Sequence, residues 1–353
     1  MHPLEEEKRV RVSVIIVNWN GLGHLPDCLD SLEGQSFRDF ETIVVDNGSS
    51  DGSLEYLRRR PGLKLVPLPE NRGFAAGNNA GLPLAQGEYL VTLNNDTKAE
   101  EGWLGELVAV ADAHPEAGMV ASRICAYDDP DRIDSLGIAI CRDGMSRGDF
   151  RGRRFSELRL DPVREILFPS ACVGLYRRAM LDQIGFFDPD FFAYCEDTDL
   201  GLRGRLAGWG ALLARDAVVY HKYSMTSGAF SPFKLYLVER NHFYAALKNL
   251  PLPLLPLLPF FTLLRYLTQV EVVLSGKGSG GEFLESGTRS ACVWALLRGM
   301  RDAVLALPTL LKKRAAVMRK RRIGNLEMMQ LLKRYRLSFR ELLDVKTTVK
   351  GER

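Results

Sequence analysis

The first 125 residues alternate short apolar runs with amphipathic stretches. Val12–Asn18 is a β-branched run ending in polar residues and predicts a strand. His24–Leu32 places Leu25, Cys28, Leu29 and Leu32 on one helical face. Thr42–Val45 predicts a second strand, closed by Asp46-Asn47-Gly48, and Ser50 or Asp51 can cap the helix running through Leu57. Leu63–Leu68 predicts a third strand and Phe74–Ala85 a helix despite Gly77, Gly81 and Pro83. Tyr89–Leu93 predicts a fourth strand, closed by Asn94-Asn95-Asp96. Trp103–Ala113 then reads as a helix and Met119–Ile124 as a fifth strand.

Such alternation predicts an α/β fold, a mostly parallel sheet wrapped by helices. Ligands of these sheets bind outside the carboxyl ends of the strands. Asn18-Trp19-Asn20, Asp46-Asn47-Gly48 and Asn94-Asn95-Asp96 should therefore line one crevice. The plainer alternative is that they are turn and capping residues.

Residues 126–168 break the pattern. They are polar and Gly-rich, and carry Arg142, Arg147, Arg151, Arg153 and Arg154. This predicts a long excursion or small hairpin over the sheet, whose arginines either grip a diphosphate or stay solvated. Ala171–Tyr176 reads as a strand, Arg178–Ile184 as a helix, and Glu196-Asp197-Thr198-Asp199 opens a helix to Leu206. Ala211–His221 is a last strand. Carboxylates at a helix N-terminus are kept ionised by its partial positive charge, and one facing a cleft can act as a general base. For Asp199, capping is the favoured role. Asp96 and His221 each end a strand, and with two phosphate oxygens they could form a shell for Mg²⁺ or Mn²⁺.

The chain has 353 residues and a net charge of +3. Residues 251–353 hold 19 Lys/Arg against 8 Asp/Glu, whereas residues 1–250 hold 28 against 36. A basic tail wants an anionic partner. Leu235–Leu247 predicts an aromatic-rich helix. Leu250–Leu264 is apolar but interrupted by Pro251, Pro253, Pro256 and Pro259, and with Tyr266–Leu274 it suits an interfacial or re-entrant segment better than a membrane span. After a Gly-rich linker at Ser275–Gly281, Cys292–Leu311 reads as amphipathic, and Leu311–Arg322 adds seven Lys/Arg and no acid. That combination suits an anionic membrane surface. A helical hairpin packed on the preceding α/β domain or on another subunit is the alternative. The six cysteines form no CxxC pair and read as reduced core residues. Glu5-Glu6-Glu7 near the start precludes a signal peptide there, which predicts a cytoplasmic protein at the inner face of the cell membrane.

The stretches VSVIIVNWNGLGHLPDCLDSL (12–32), ETIVVDNGSSDGS (41–53), NRGFAAGNNAGL (71–82), YLVTLNNDT (89–97), GFFDPDFFAYCEDTDLGLRGRLAGWG (185–210) and VVYHKYSMTSG (218–228) occur in this order. Together they resemble family 2 glycosyltransferases of the GT-A fold, in particular the bacterial rhamnosyltransferase-like branch that builds cell-surface polysaccharides. The resemblance implies an inverting, metal-dependent transferase that moves a sugar from a UDP- or dTDP-linked donor to a hydroxyl of a saccharide acceptor. It implies donor binding by Val17, Asn18, Asn20, Asp46, Asn71, Arg72, Gly73, Asn78, Asn94 and Asn95. Asp96 and His221 would hold the metal, and Asp197 would be the catalytic base. Glu196, Arg151 and Arg153 are candidates for the acceptor side. Asn94 stands where the family's DxD motif has its first Asp. No tryptophan lies in the QxxRW setting of processive members, so a non-processive enzyme is expected. A polyprenyl diphosphate-linked acceptor would account for the basic tail. The domain expectation is a catalytic unit at 1–228, with a nucleotide-binding half at 1–125 and an acceptor half at 126–228, followed by a helical, membrane-associating extension at 229–353. Nucleic acid is not an expected partner, and a homo-oligomer is compatible with the sequence. A catalytically silent binding subunit of the same fold and a nucleotidyltransferase are the alternative readings.

Overall fold

A computed structural model describes residues 10–222, 231–274 and 289–343. The strands are β1 (Val12–Asn18), β2 (Phe40–Asn47), β3 (Leu63–Leu68), β4 (Tyr89–Leu93), β5 (Thr97–Ala99), β6 (Ala117–Ala126), β7 (Ile133–Ser135), β8 (Ile138–Ile140), β9 (Ser146–Gly148), β10 (Val163–Glu165), β11 (Val173–Arg177) and β12 (Gly210–His221). Ten of them form one sheet, whose main path runs β10-β12-β6-β11-β4-β1-β2-β3; β5 pairs with β12 and β7 with β6. Strands β8 and β9 make a separate hairpin over it.

The continuous apolar run of β1 follows from burial on both faces. Val12, Val14 and Ile16 face one core, shared with Leu25, Cys28, Leu29 and Leu32 of α1 (Leu25–Glu33). Ile15 faces the other core. Helix α2 (Ser53–Arg58) starts from Gly52 rather than from a capping Ser50 or Asp51, although Asp51 still accepts the Ser53 N–H at 3.0 Å. The predicted Phe74–Ala85 helix is shorter: α3 (Gly73–Gly81) passes into a 3₁₀ turn at Leu82–Leu84, where Pro83 removes a backbone donor. Helix α4 (Trp103–Ala113) covers the face of α1, and α5 (Arg178–Ile184) lies against the opposite core.

The sheet is mixed. β1, β2, β3, β4, β6 and β12 run one way, and β11 runs against β4 and β6 between them. A parallel return needs a crossover, usually a helix, and residues 127–172 contain no α-helix.

Helix α6 (Glu196–Leu206) packs on α7 (Pro232–Asn249), and the later helices fold back over both. Leu252–Leu257 is a 3₁₀ helix leading into α8 (Leu258–Leu274), with Pro259 in its first turn. The expected Cys292–Leu311 helix is two, Arg289–Leu305 and Leu307–Lys320, broken before Pro308. Arg314 of the second donates to the carbonyls of Leu247, Lys248 and Leu250. The tail is thus packed on the sheet domain, while its outer face keeps apolar side chains in solvent: Phe260, Leu263, Leu267, Trp294, Leu297 and Val304. No helix among the described residues is long and apolar enough to cross a membrane. The linker expected at Ser275–Gly281, and the end of the 218–228 stretch, lie outside the described residues.

Candidate active site

The polar residues that end β1, β2 and β4 meet in one hydrogen-bonded wall. β1 and β2 pair in parallel with Asn18 opposite Asp46, so both side chains emerge together. Asn95 Nδ2 donates to Asn18 Oδ1 at 2.7 Å, and Asn18 Nδ2 donates to Asp46 Oδ1 and Ser49 Oγ, each at 3.2 Å. Asp46 Oδ2 accepts the Ser49 N–H at 3.2 Å, and Asn20 Oδ1 accepts the Ser50 N–H at 2.8 Å. Asn47 joins the next segment: its Nδ2 donates to Asn71 Oδ1 at 3.1 Å, and its Oδ1 accepts the Arg72 N–H at 2.9 Å. Asn71 Oδ1 also accepts the Gly73 N–H. Val17 packs against α3, Asn78 donates to Phe74 O, and the Arg72 side chain is exposed. Asn94 is partly buried, and its carbonyl accepts from Thr97 Oγ1.

On the other side of β4, the antiparallel β5–β12 pair sets His221 opposite Thr97, which brings it beside Asp96. His221 Nε2 lies 3.3 Å from the buried Asp96 Oδ1, an oxygen with no other partner among the described residues. His221 Nδ1 lies 2.8 Å from Asp134 Oδ2, and Asp134 Oδ1 meets Arg151 Nη2 at 3.2 Å. Burial tends to lower the His221 pKa, but Cys172, Asp96 and Asp134 together hold it well above the ordinary value. Burial likewise pushes the carboxyls up, yet Arg151 and His221 bring Asp134 down to about 2, and His221 keeps Asp96 below the usual range. Arg151 is thus engaged with Asp134, while Arg153 is exposed, 5.9 Å from the Phe150 ring.

Asp134, on β7, is a site residue that sequence reasoning missed. Its signal was slight: one acid between the buried Ile133 and Ser135 in an Arg-rich stretch.

No metal-binding group of three or more His, Cys, Asp or Glu occurs among the described residues. A carboxylate oxygen whose one polar neighbour is an imidazole nitrogen nevertheless fits, with that nitrogen, two positions of a divalent cation's shell. Cis ligands about 2.1 Å from such an ion lie about 3 Å apart. Asp134 on the remote nitrogen stands where a carboxylate would orient a metal-binding histidine.

The acid pair sits at the start of α6. Phe192, Tyr194 and Cys195 hold φ of 62°, 70° and 64°, a left-handed conformation that is costly for such side chains. Gly73 makes room for this loop: it has φ of 84°, and a Cβ there would lie 2.5 Å from Phe192 O. Burial raises the pKa of both Glu196 and Asp197, which outweighs the help expected from the helix N-terminus. Asp197 rises less, because it accepts hydrogen bonds from the N–H of Thr198 at 2.7 Å and of Ala171 at 3.4 Å. Glu196 Oε2 has no partner, and Glu196 is pushed well above the usual range. Asp197 is therefore the member that ionises more readily. Asp199 does not cap the helix. It is fully buried and bound by Arg203 Nε at 2.9 Å, Lys248 Nζ at 2.8 Å and Asn249 Nδ2 at 2.8 Å, which locks α6 to α7.

A mixed sheet with polar strand ends on one side and a buried acid pair beside it is the GT-A arrangement. A crystal structure of GalNAc-T7 with UDP, GalNAc and Mn²⁺ has the same fold, with a TM-score of 0.55 at 16% identity; the match covers 68% of this chain and 48% of that one. The sequence model of Glycosyl transferase family 2 matches residues 13–185. An N-acetylglucosaminyl-diphospho-decaprenol L-rhamnosyltransferase of Mycobacterium tuberculosis is 29% identical over 241 residues, 61% of this chain and 77% of the relative. The O-antigen biosynthesis protein RfbC of Myxococcus xanthus is 28% identical over 60% of this chain and 17% of its own length. The chain is a glycosyltransferase that resembles glycosyl transferase family 2, and among its members the rhamnosyltransferases.

Proposed function

We propose that this glycosyltransferase moves a sugar from a UDP- or dTDP-linked donor to a hydroxyl of a lipid-linked saccharide, with inversion, at the inner face of the cell membrane. The observation that carries the reading is the meeting of Asp96 and His221, 125 positions apart in sequence, at the edge of the polar wall, with a carboxylate oxygen that has only the imidazole beside it. The wall made by Asn18, Asp46 and Asn71 would take the base and ribose. Asp46 offers a carboxylate to an imide N–H, and Arg72, Gly73 and Asn78 flank the nucleotide. Asp96 Oδ1 and His221 Nε2 would hold Mg²⁺ or Mn²⁺, which when bound would neutralise charge on the departing diphosphate. Asp134 keeps the remote His221 nitrogen engaged, so that Nε2 stays turned to Asp96. Asp197 takes the proton of the acceptor hydroxyl as it attacks the anomeric carbon. Glu196 beside it, whose carboxyl burial pushes well above the usual range and whose Oε2 has no partner, would face the acceptor.

Two features support a lipid-linked acceptor. A groove of about 720 Å³ between α7 and the 289–305 helix is lined by Phe233, Tyr236, Trp294, Leu297, Arg298 and Arg301. It does not contain the acid pair but abuts the loop leading to it, where the Phe192 and Phe233 rings are 6.0 Å apart. Apolar walls with two arginines suit an isoprenoid diphosphate. The outward apolar side chains and the basic excess of the tail suit an anionic membrane surface. Synthesis of cell-surface polysaccharide is the setting such an acceptor implies.

Purified full-length protein, a panel of UDP- and dTDP-sugars, Mn²⁺ or EDTA, and a polyprenyl diphosphate-linked N-acetylhexosamine test the reading. Transfer of one sugar, detected by mass and abolished by EDTA, is expected. Binding of a donor without transfer or hydrolysis under any condition would leave only a silent binding subunit.

A further inference from the structure

We propose that Asn241 of α7 is a positioning residue for Asp197: it fastens the 191–195 loop in the left-handed shape that presents the acid pair to the crevice. The inference rests on the assignment of Asp197 as the base.

Asn241 is fully buried, and its Nδ2 lies 2.8 Å from each of three carbonyl oxygens, those of Phe191, Ala193 and Tyr194. An amide has two N–H groups, so the three acceptors share them in a single focus. Asn241 Oδ1 accepts from Arg240 Nε at 2.9 Å, and Arg240 Nη2 donates to the carbonyls of Asp190 and Phe191 at 2.9 and 3.1 Å. Two adjacent side chains of α7 thus bind four carbonyls of Asp190–Tyr194. On the opposite side, Phe192 O accepts the Ala75 N–H of α3 at 3.1 Å. The loop is therefore stretched between the donor-side helix α3 and α7.

The backbone explains the need for that grip. Phe192, Tyr194 and Cys195 hold positive φ without being glycine, and they lead straight into Glu196 and Asp197. Side chains in this region persist only where their surroundings over-determine them. Asn241 supplies what a water would otherwise supply to carbonyls turned away from any ladder. A residue needed only to fill space there would be apolar, as its neighbour Ala245 is.

The test uses the full-length chain with Asn241→Ala, Asn241→Ser, Tyr194→Gly and the double variant Asn241→Ala/Tyr194→Gly. Measured are the melting temperature, the Kd for UDP with Mn²⁺, and kcat for transfer. With the loop loosened, Asn241→Ala is expected to lose roughly 10²-fold in kcat, the scale of a misplaced catalytic group. Its Kd for UDP should stay within about twofold of wild type. Glycine takes positive φ at little cost, so Tyr194→Gly in the Asn241→Ala background should recover kcat several-fold. Asn241→Ser, which keeps one donor, should fall between, and it carries the comparison if the alanine variant does not fold. Wild-type kcat in folded Asn241→Ala or Asn241→Ser, or a loss the glycine does not relieve, overturns the proposal. Wild-type protein that transfers no sugar would overturn the reading beneath it as well.

Discussion

The two walls of the crevice differ in how fully their polar groups are satisfied. On the donor wall, Asn18, Asp46, Asn47, Asn71 and Asn95 bond to one another and to backbone N–H groups at the ends of β1, β2 and β4. On the acid wall, Glu196 Oε2 is buried without a partner, Asp96 Oδ1 has only the His221 ring beside it, two carboxyl pKa values are raised, and three non-glycine residues hold positive φ, whereas the donor side has Asn78 Oδ1 unpartnered and Asn20 at φ of 50°. A satisfied network fixes a shape, and a site that must bind an ion and accept a proton leaves capacity unused. On the proposed reading, the contrast marks where recognition would end and chemistry begin. It also shows that the acid wall depends on a helix beyond residue 228, since Asn241, Lys248 and Asn249 of α7 hold it in place.

The largest break should come from Asp197→Asn. Loss of a general base lowers turnover by roughly 10²–10⁴-fold, and single-turnover transfer assays would show it. If Glu196→Gln instead abolishes turnover and Asp197→Asn does not, the roles within the pair are reversed.

Next come the residues proposed to hold a cation. Asp96→Ala and His221→Ala should remove Mn²⁺-dependent UDP binding in calorimetry. Asp134→Asn keeps both ligands but loses the orienting carboxylate, so metal affinity should fall about 10–100-fold. An unchanged Mn²⁺ titration in Asp134→Asn would separate β7 from the metal site.

The donor wall should respond differently. Asn18→Ala leaves Asp46, Ser49 and Asn95 short of a partner. Such a loss costs about 1–3 kcal/mol, visible as a lower melting temperature and a raised donor KM with kcat preserved.

A smaller effect concerns pH. Asp197 must be ionised to act, and burial raises its pKa, so the acid limb of kcat should lie above the ordinary carboxylate range of about 4. Asp199 has the opposite sign. Burial raises it, but Lys248 and Arg203 more than compensate, so its folded pKa is lowered. Its contribution to stability is present above the unfolded value of about 3.9 and is lost as pH falls through the folded value. Activity should therefore fail on acidification well before the α6–α7 junction does, which kcat and melting temperature measured over the same pH series would reveal.

Much of the donor wall was legible in the sequence, because apolar strands that stop at Asn and Asp announce their carboxyl ends. The face of α1 was legible for the same reason: four apolar residues at helical spacing all became buried. Strand direction was not, since the pattern of β11 reads alike in either sense, and only the helix-free return from β6 turns it around. Asp96 and His221 were each weak alone. Their meeting depends on the β5–β12 pairing, which no local pattern announces. Asp199 resembled a cap because its partners, Lys248 and Asn249, are about 50 residues away. Asn241 gave little sign beyond standing with Arg240 in an aromatic-rich helix, because its acceptors are backbone carbonyls.

The division of labour between the walls is tested most directly by measuring donor Kd and kcat on the same two variants, Asp46→Asn and Asp197→Asn. The account predicts a crossing pattern: Asp46→Asn weakens donor binding and spares kcat at saturating donor, and Asp197→Asn keeps donor Kd and loses kcat. Equal losses in both parameters for both variants would contradict it.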